Sequence, residues 1–97
     1  MNKDIESTVK KHKKLSIQLN KGNRYRIIRE DTKRGSLWII PQIKNYWVQL
    51  SGEVDSLLYD YMHKQFGLHN GENQGKNYWY INDVNQLKNI IKYFGEL

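Results

Sequence analysis

The sequence predicts an α+β fold: a small antiparallel β-meander of four to five strands packed against two C-terminal amphipathic helices. Three observations carry that expectation. From Leu15 to Leu50 apolar residues alternate with polar ones, the period of half-buried strands. After Leu50 they recur at three- and four-residue spacing, the period of a helix with one buried face. The tetrapeptide KNYW occurs twice, in IKNYWVQL from Ile43 to Leu50 and in GKNYWYIN from Gly75 to Asn82. Each copy opens an aromatic strand that leads through a polar cap into a helical stretch, so the C-terminal half reads β-α-β-α. A helical crossover between the two strands allows them to lie parallel, with both helices on one face of the sheet.

Residues 1–14 read as a basic N-terminal arm or short helix, and residues 15–97 as a single α+β domain. In the first segment Ile5 and Val9 give a thin apolar spacing ahead of Lys10, Lys11, Lys13 and Lys14, a pattern that fits either a short helix or a frayed, weakly ordered arm. Leu15, Ile17 and Leu19 then alternate with polar neighbours, NKGN supplies a turn, and Tyr25 and Ile27 resume the alternation before REDTKRGS turns the chain again. SLWII and YWVQL give two further strands, with Pro41 between them at a strand end, where a missing N–H is tolerable.

The first long helix is expected from a cap at Ser51 or Gly52, with Val54, Leu57, Leu58, Tyr61, Met62 and Phe66 inward, Glu53 and Asp55 at its electropositive start, and Gly67 at its end. GLHNGENQGK, rich in Gly and Asn, reads as an exposed loop. NYWYI gives the last strand. Asn82 or Asp83 caps the final helix, which turns Val84, Leu87, Ile90, Ile91 and Phe94 inward and stops at Gly95.

The chain has 97 residues, enough for one modest core that buries about 60–70% of the unfolded surface. Apolar residues are sparse at 38% but aromatics reach 12%, so the core leans on large rings. The absence of cysteine excludes disulfides and thiolate metal sites and suits a reducing cytosol. No apolar run approaches ~18 residues and the polar start lacks the apolar centre of a secretory signal, which makes the cytoplasm the expected location. Sixteen Lys plus Arg against ten Asp plus Glu leave a formal charge of +6, which favours polyanionic partners.

Neighbouring residues on a strand point to opposite faces, so one ring of Tyr46 and Trp47, and one of Tyr78 and Trp79, faces the helices while the other faces away. The outward rings either fill a second face of the sheet or form an exposed aromatic platform beside Lys44 and Lys76.

The stretch YWYINDVNQLKNIIKYF, Tyr78 to Phe94, resembles the terminal strand and helix of LAGLIDADG homing endonuclease repeats, over less than a fifth of the chain. The acidic metal-binding helix of that family has no counterpart, so neither its catalytic residues nor its activity transfers.

Catalytic constellations are thin. His12, His63 and His69 lack the spacing of a zinc site, and no metal, cofactor or catalytic residue is assigned. Asp55, Tyr59 and His63 fall on one outer helix face like a proton relay, or equally like a solvated ion-pair face. No glycine loop of phosphate-binding type is present. The chain is therefore expected not to be an enzyme.

Two functional classes remain. In the first, a basic module binds nucleic acid with little sequence preference. Arg24, Arg26, Arg29, Lys33 and Arg34 on the second strand and its turn would join Lys44, Tyr46, Lys76 and Tyr78, so that cations meet phosphates while rings stack on bases. The bland counterpart is a solvated basic face that aids solubility. In the second class, a protein-binding inhibitor or adaptor of the kind phages and mobile elements encode uses the same Tyr, Trp and Arg residues on a host protein.

Overall fold

The structure, a computed structural model, describes residues 2–52, 56–67, 69–70 and 77–97. Among these the elements run α1 (Asn2–Lys10), β1 (Leu15–Leu19), β2 (Tyr25–Arg29), β3 (Ser36–Pro41), β4 (Tyr46–Ser51), α2 (Ser56–Phe66), β5 (His69–Asn70), β6 (Asn77–Ile81) and α3 (Val84–Glu96). All six strands belong to one antiparallel sheet in the order β1-β2-β3-β4-β6-β5. The α+β class and the meander from β1 to β4 are as the alternation predicts. No helix among the described residues is long and apolar enough to cross a membrane.

The two KNYW strands are not parallel. Tyr46 pairs with Ile81 and Gln49 with Tyr78 in an antiparallel ladder. The reason lies in the Gly/Asn-rich segment, which is not wholly irregular. Its His69 and Asn70 pair with Tyr78 and Asn77, so the helical crossover joins β4 to β5, two strands of the same direction, and β6 returns between them.

Alternation divides the sheet into two faces. Tyr25, Ile27, Leu37, Ile39, Tyr46, Val48, Trp79 and Ile81 share one face and are buried. Against them pack Leu58 and Met62 from α2 and Leu87, Ile90, Ile91 and Phe94 from α3. Burying each such side chain stabilises by about 1.5–3 kcal/mol relative to exposure. The N-terminal segment takes the helical one of its two readings: Ile5 and Val9 enter the same core, and Lys88 of α3 lies 3.6 Å from Asp4. All three helices close over this face. Among the described residues the opposite face carries no helix.

Helix boundaries shift in instructive ways. Ser51 belongs to β4, α2 is described over Ser56–Phe66, and Leu57 turns outward, 57% exposed, instead of inward. The expectations for Glu53, Val54 and Asp55 fall outside the described residues. Asp83 caps α3 through a 2.8 Å bond from the Asn85 N–H to its carboxylate. Gly67 ends α2 as expected, but Gly95 lies inside α3. A Cβ there would stand 3.0 Å from the His12 ring and from Leu15 Cδ1, so its role is close approach of the helix to the α1–β1 connection.

Candidate nucleic-acid interface

The helix-free face is built by the strand positions that alternate with the core. Across it Gln18, Arg26, Trp38, Gln49 and Tyr78 stand opposite one another in one row, and Ile40, Trp47 and Tyr80 in the next. Cross-strand neighbours of this kind lie about 4.5–5.5 Å apart at Cβ, which brings large rings into contact.

Trp47 stands edge-on between two tyrosines, 4.5 Å from the Tyr78 ring at 83° and 4.6 Å from the Tyr80 ring at 71°. Positive ring edges meet negative faces in such pairs, which hold the cluster together. Tyr80 remains 39% exposed. On the next strand the Arg26 guanidinium carbon sits 5.4 Å from the centre of the Trp38 ring, a cation–π distance.

A small polar network fixes that second pair. The Trp38 indole N–H donates to Ser51 Oγ at 2.9 Å, Ser51 Oγ lies 2.7 Å from Ser36 Oγ, and Arg26 Nε donates to Ser36 Oγ at 3.3 Å. Ser36 itself is fully buried. Arg26 and Trp38 are thus held by bonds from beneath, with less ordering left to be done when a ligand arrives. No Asp or Glu occupies a described strand position of this face, so its sign is positive.

The residues expected to bind distribute unevenly. Arg26 and Tyr78 stand on the open face. Arg24, just ahead of β2, and Lys44, in the turn between β3 and β4, are exposed. Lys33 and Arg34 are exposed in the β2–β3 turn, where Lys33 holds a left-handed φ of 52°. Lys76 falls outside the described residues.

Two candidates face the wrong way for a sheet-borne ligand. Arg29 follows Tyr25 and Ile27 in phase onto the helix side, where it is 8% exposed and clasps Asp31 through bonds of 3.1 and 2.6 Å. That bond, helped by the charges of Arg29 and Lys14, holds the Asp31 carboxyl below its ordinary range. Tyr46 is 9% exposed beneath the helices, and burial pushes its phenol up. The second KNYW copy has the reverse phase: Trp79 is buried and Tyr78 faces out. Identical letters thus present a tryptophan at one copy and a tyrosine at the other.

Trp38, Trp47, Tyr80 and Gln49 were not among the expected contacts. Their signal was present in β4, where the polar Gln49, alternating with Val48 and Leu50, marks the outward phase that Trp47 shares.

Of the helix face that reads as a relay or a solvated ion-pair face, two members fall among the described residues. Tyr59 packs edge-on against the buried Trp79 at 5.5 Å, and its ring is 5.9 Å from exposed His63. Asp55 falls outside the described residues.

No protein-family model, curated protein or solved structure gives a significant match to this chain.

Proposed function

We propose that this domain is a non-enzymatic module that binds nucleic acid with little sequence preference, and that it does so on the helix-free face of its sheet. The observation that carries this reading is the combination, on one face that no described helix covers, of the Trp47–Tyr78–Tyr80 ring cluster and the Arg26–Trp38 pair, with no acidic residue at a described strand position of that face. Every base has a π-face, so stacking on such rings is tolerant of sequence and contributes about 1–3 kcal/mol per base. Bases in a duplex are already stacked on one another, and stacking therefore selects single strands. Arg24, just ahead of β2, and Lys44, in the β3–β4 turn, lie at the same end of the sheet, where a backbone leaving the face would pass.

A salt titration of labelled single- and double-stranded oligonucleotides tests the proposal. Single strands should bind more tightly, with a log–log salt slope of about −0.7 per neutralised phosphate. Replacing Arg24 and Arg26 together with Ala should flatten that slope, and Trp38→Ala should weaken binding about five-fold or more with the slope little changed. Exposed Tyr, Trp and Arg are also the side chains that dominate protein interfaces, which keeps an inhibitor or adaptor acting on a host protein as the second reading. Failure of all oligonucleotides to bind at low salt, with one host protein retained from a nuclease-treated lysate, would decide for that second reading.

A further inference from the structure

The turn between β3 and β4 closes with a 2.7 Å bond from the Gln42 N–H to the Asn45 carbonyl, and Pro41 stiffens its approach. Gln42, Ile43, Lys44 and Asn45 there line a shallow hollow whose remaining walls are Trp47 and Tyr80 of the open face. Among the described residues the side chains of Gln42, Lys44 and Asn45 make no hydrogen bond or ion pair, and Ile43 is 99% exposed at the tip.

We infer that this hollow seats one unstacked base of a single strand, and so gives the face a base preference at one position. The inference rests on the proposed nucleic-acid reading. The base lies against the exposed Tyr80 ring with Ile43 beside it. The amides of Gln42 and Asn45 each offer a donor and an acceptor to the base edge, and Lys44 meets the adjoining phosphate. An unpaired base edge carries a donor and acceptor pattern that differs among the bases, which is what a side-chain amide distinguishes. Aromatic rings alone supply affinity without that distinction.

The test is fluorescence anisotropy with 12-residue homopolymers of A, C and T as DNA and of A, C and U as RNA, the two series separating deoxyribose from ribose strands. Wild-type affinities within a series should differ by about three-fold or more, and Gln42→Ala with Asn45→Ala should narrow that spread while mean affinity falls less than about ten-fold. Tyr80→Leu, which keeps apolar bulk but removes the ring, should weaken every homopolymer by about five-fold or more. Thermal melting of each variant separates lost binding from lost fold. Homopolymers that bind, and weaken on Trp38→Ala, yet are indifferent to the Gln42, Asn45 and Tyr80 changes, would overturn the base seat and leave the open-face reading standing. If no homopolymer binds at low salt, the open-face reading itself fails, and the base seat with it.

Discussion

A Cβ on Gly52 would stand 2.9 Å from the Cα of Gly35, so the backbone just after β4 touches the backbone just before β3. Gly52 also has a left-handed φ of 77°. This close approach flanks the Ser36–Ser51 pair, and Ser51 in turn receives the Trp38 indole N–H. Gly52→Ala should therefore lower stability by about 1–3 kcal/mol through left-handed strain, with the backbone clash adding to it. An unchanged urea midpoint would show that the two segments part freely. Because the strain sits beside Ser51, the variant should also loosen the Trp38 platform.

The opposite phases of the two KNYW copies give the same substitution opposite consequences. Tyr46→Ala empties a core position and should cost about 3–5 kcal/mol, by analogy with other large aromatic truncations. Tyr78→Ala removes a ring from the open face and should cost only about 0.5–1.5 kcal/mol, the worth of its pair with Trp47, while weakening oligonucleotide binding. Chemical denaturation of both variants checks the contrast, and equal losses would contradict the register.

On α2, Leu58 is fully buried and its neighbour Leu57 is 57% exposed. Leu58→Ala should cost about 2–5 kcal/mol, and so should Ile91→Ala on α3, since both leave cavities in the same core. Leu57→Ala should stay within about 0.5 kcal/mol of the parent. Thermal melts of the three variants measure which face of each helix is inward.

Asp31 is held in its charged form chiefly by the bond from Arg29, which outweighs the opposing effect of burial, with the charges of Arg29 and Lys14 adding to it. A carboxyl depressed in the folded state stabilises above its unfolded pKa, and that stabilisation is lost as pH falls through the depressed value. Asp31→Asn should therefore be less stable than the parent at neutral pH, and the gap should close below the ordinary carboxylate range. Urea titrations at the two pH values read it directly. A gap that persists in acid would assign the loss to packing.

Alternation was enough to read the meander, and helical spacing enough to place Leu58, Met62, Leu87, Ile90, Ile91 and Phe94 inward. Where the fold departs from the spacing, particular residues give the reason. Arg29 lies in phase with Tyr25 and Ile27, so its inward direction was legible, but Asp31, which makes that direction tolerable for a charge, was not. Matching tetrapeptides give Tyr46 and Tyr78 the same reading, although Val48 and Leu50 on one strand and Ile81 on the other set different phases. β5 spans two residues, too few for any period to register, yet it is what places β6 antiparallel to β4. The candidate face is half legible: Arg26 and Tyr78 are expected on it, and Gln49 marks the outward phase of Trp47 within β4, while Trp38, with apolar neighbours on both sides in β3, takes its phase from register, a property of paired strands and not of one segment alone.

A tandem duplication copies a strand together with its inside and outside, because the pleat is carried by the sequence. The two KNYW segments have opposite senses, Tyr46 and Trp79 inward, Trp47 and Tyr78 outward. Two descendants of one ancestral β-α unit would have needed a one-residue shift of a whole strand, which exchanges every side chain between core and solvent. The shared letters therefore mark no interchangeable modules, and a chimera that puts β4 in the place of β6 with the two KNYW copies aligned would turn Tyr46 and Val48 outward.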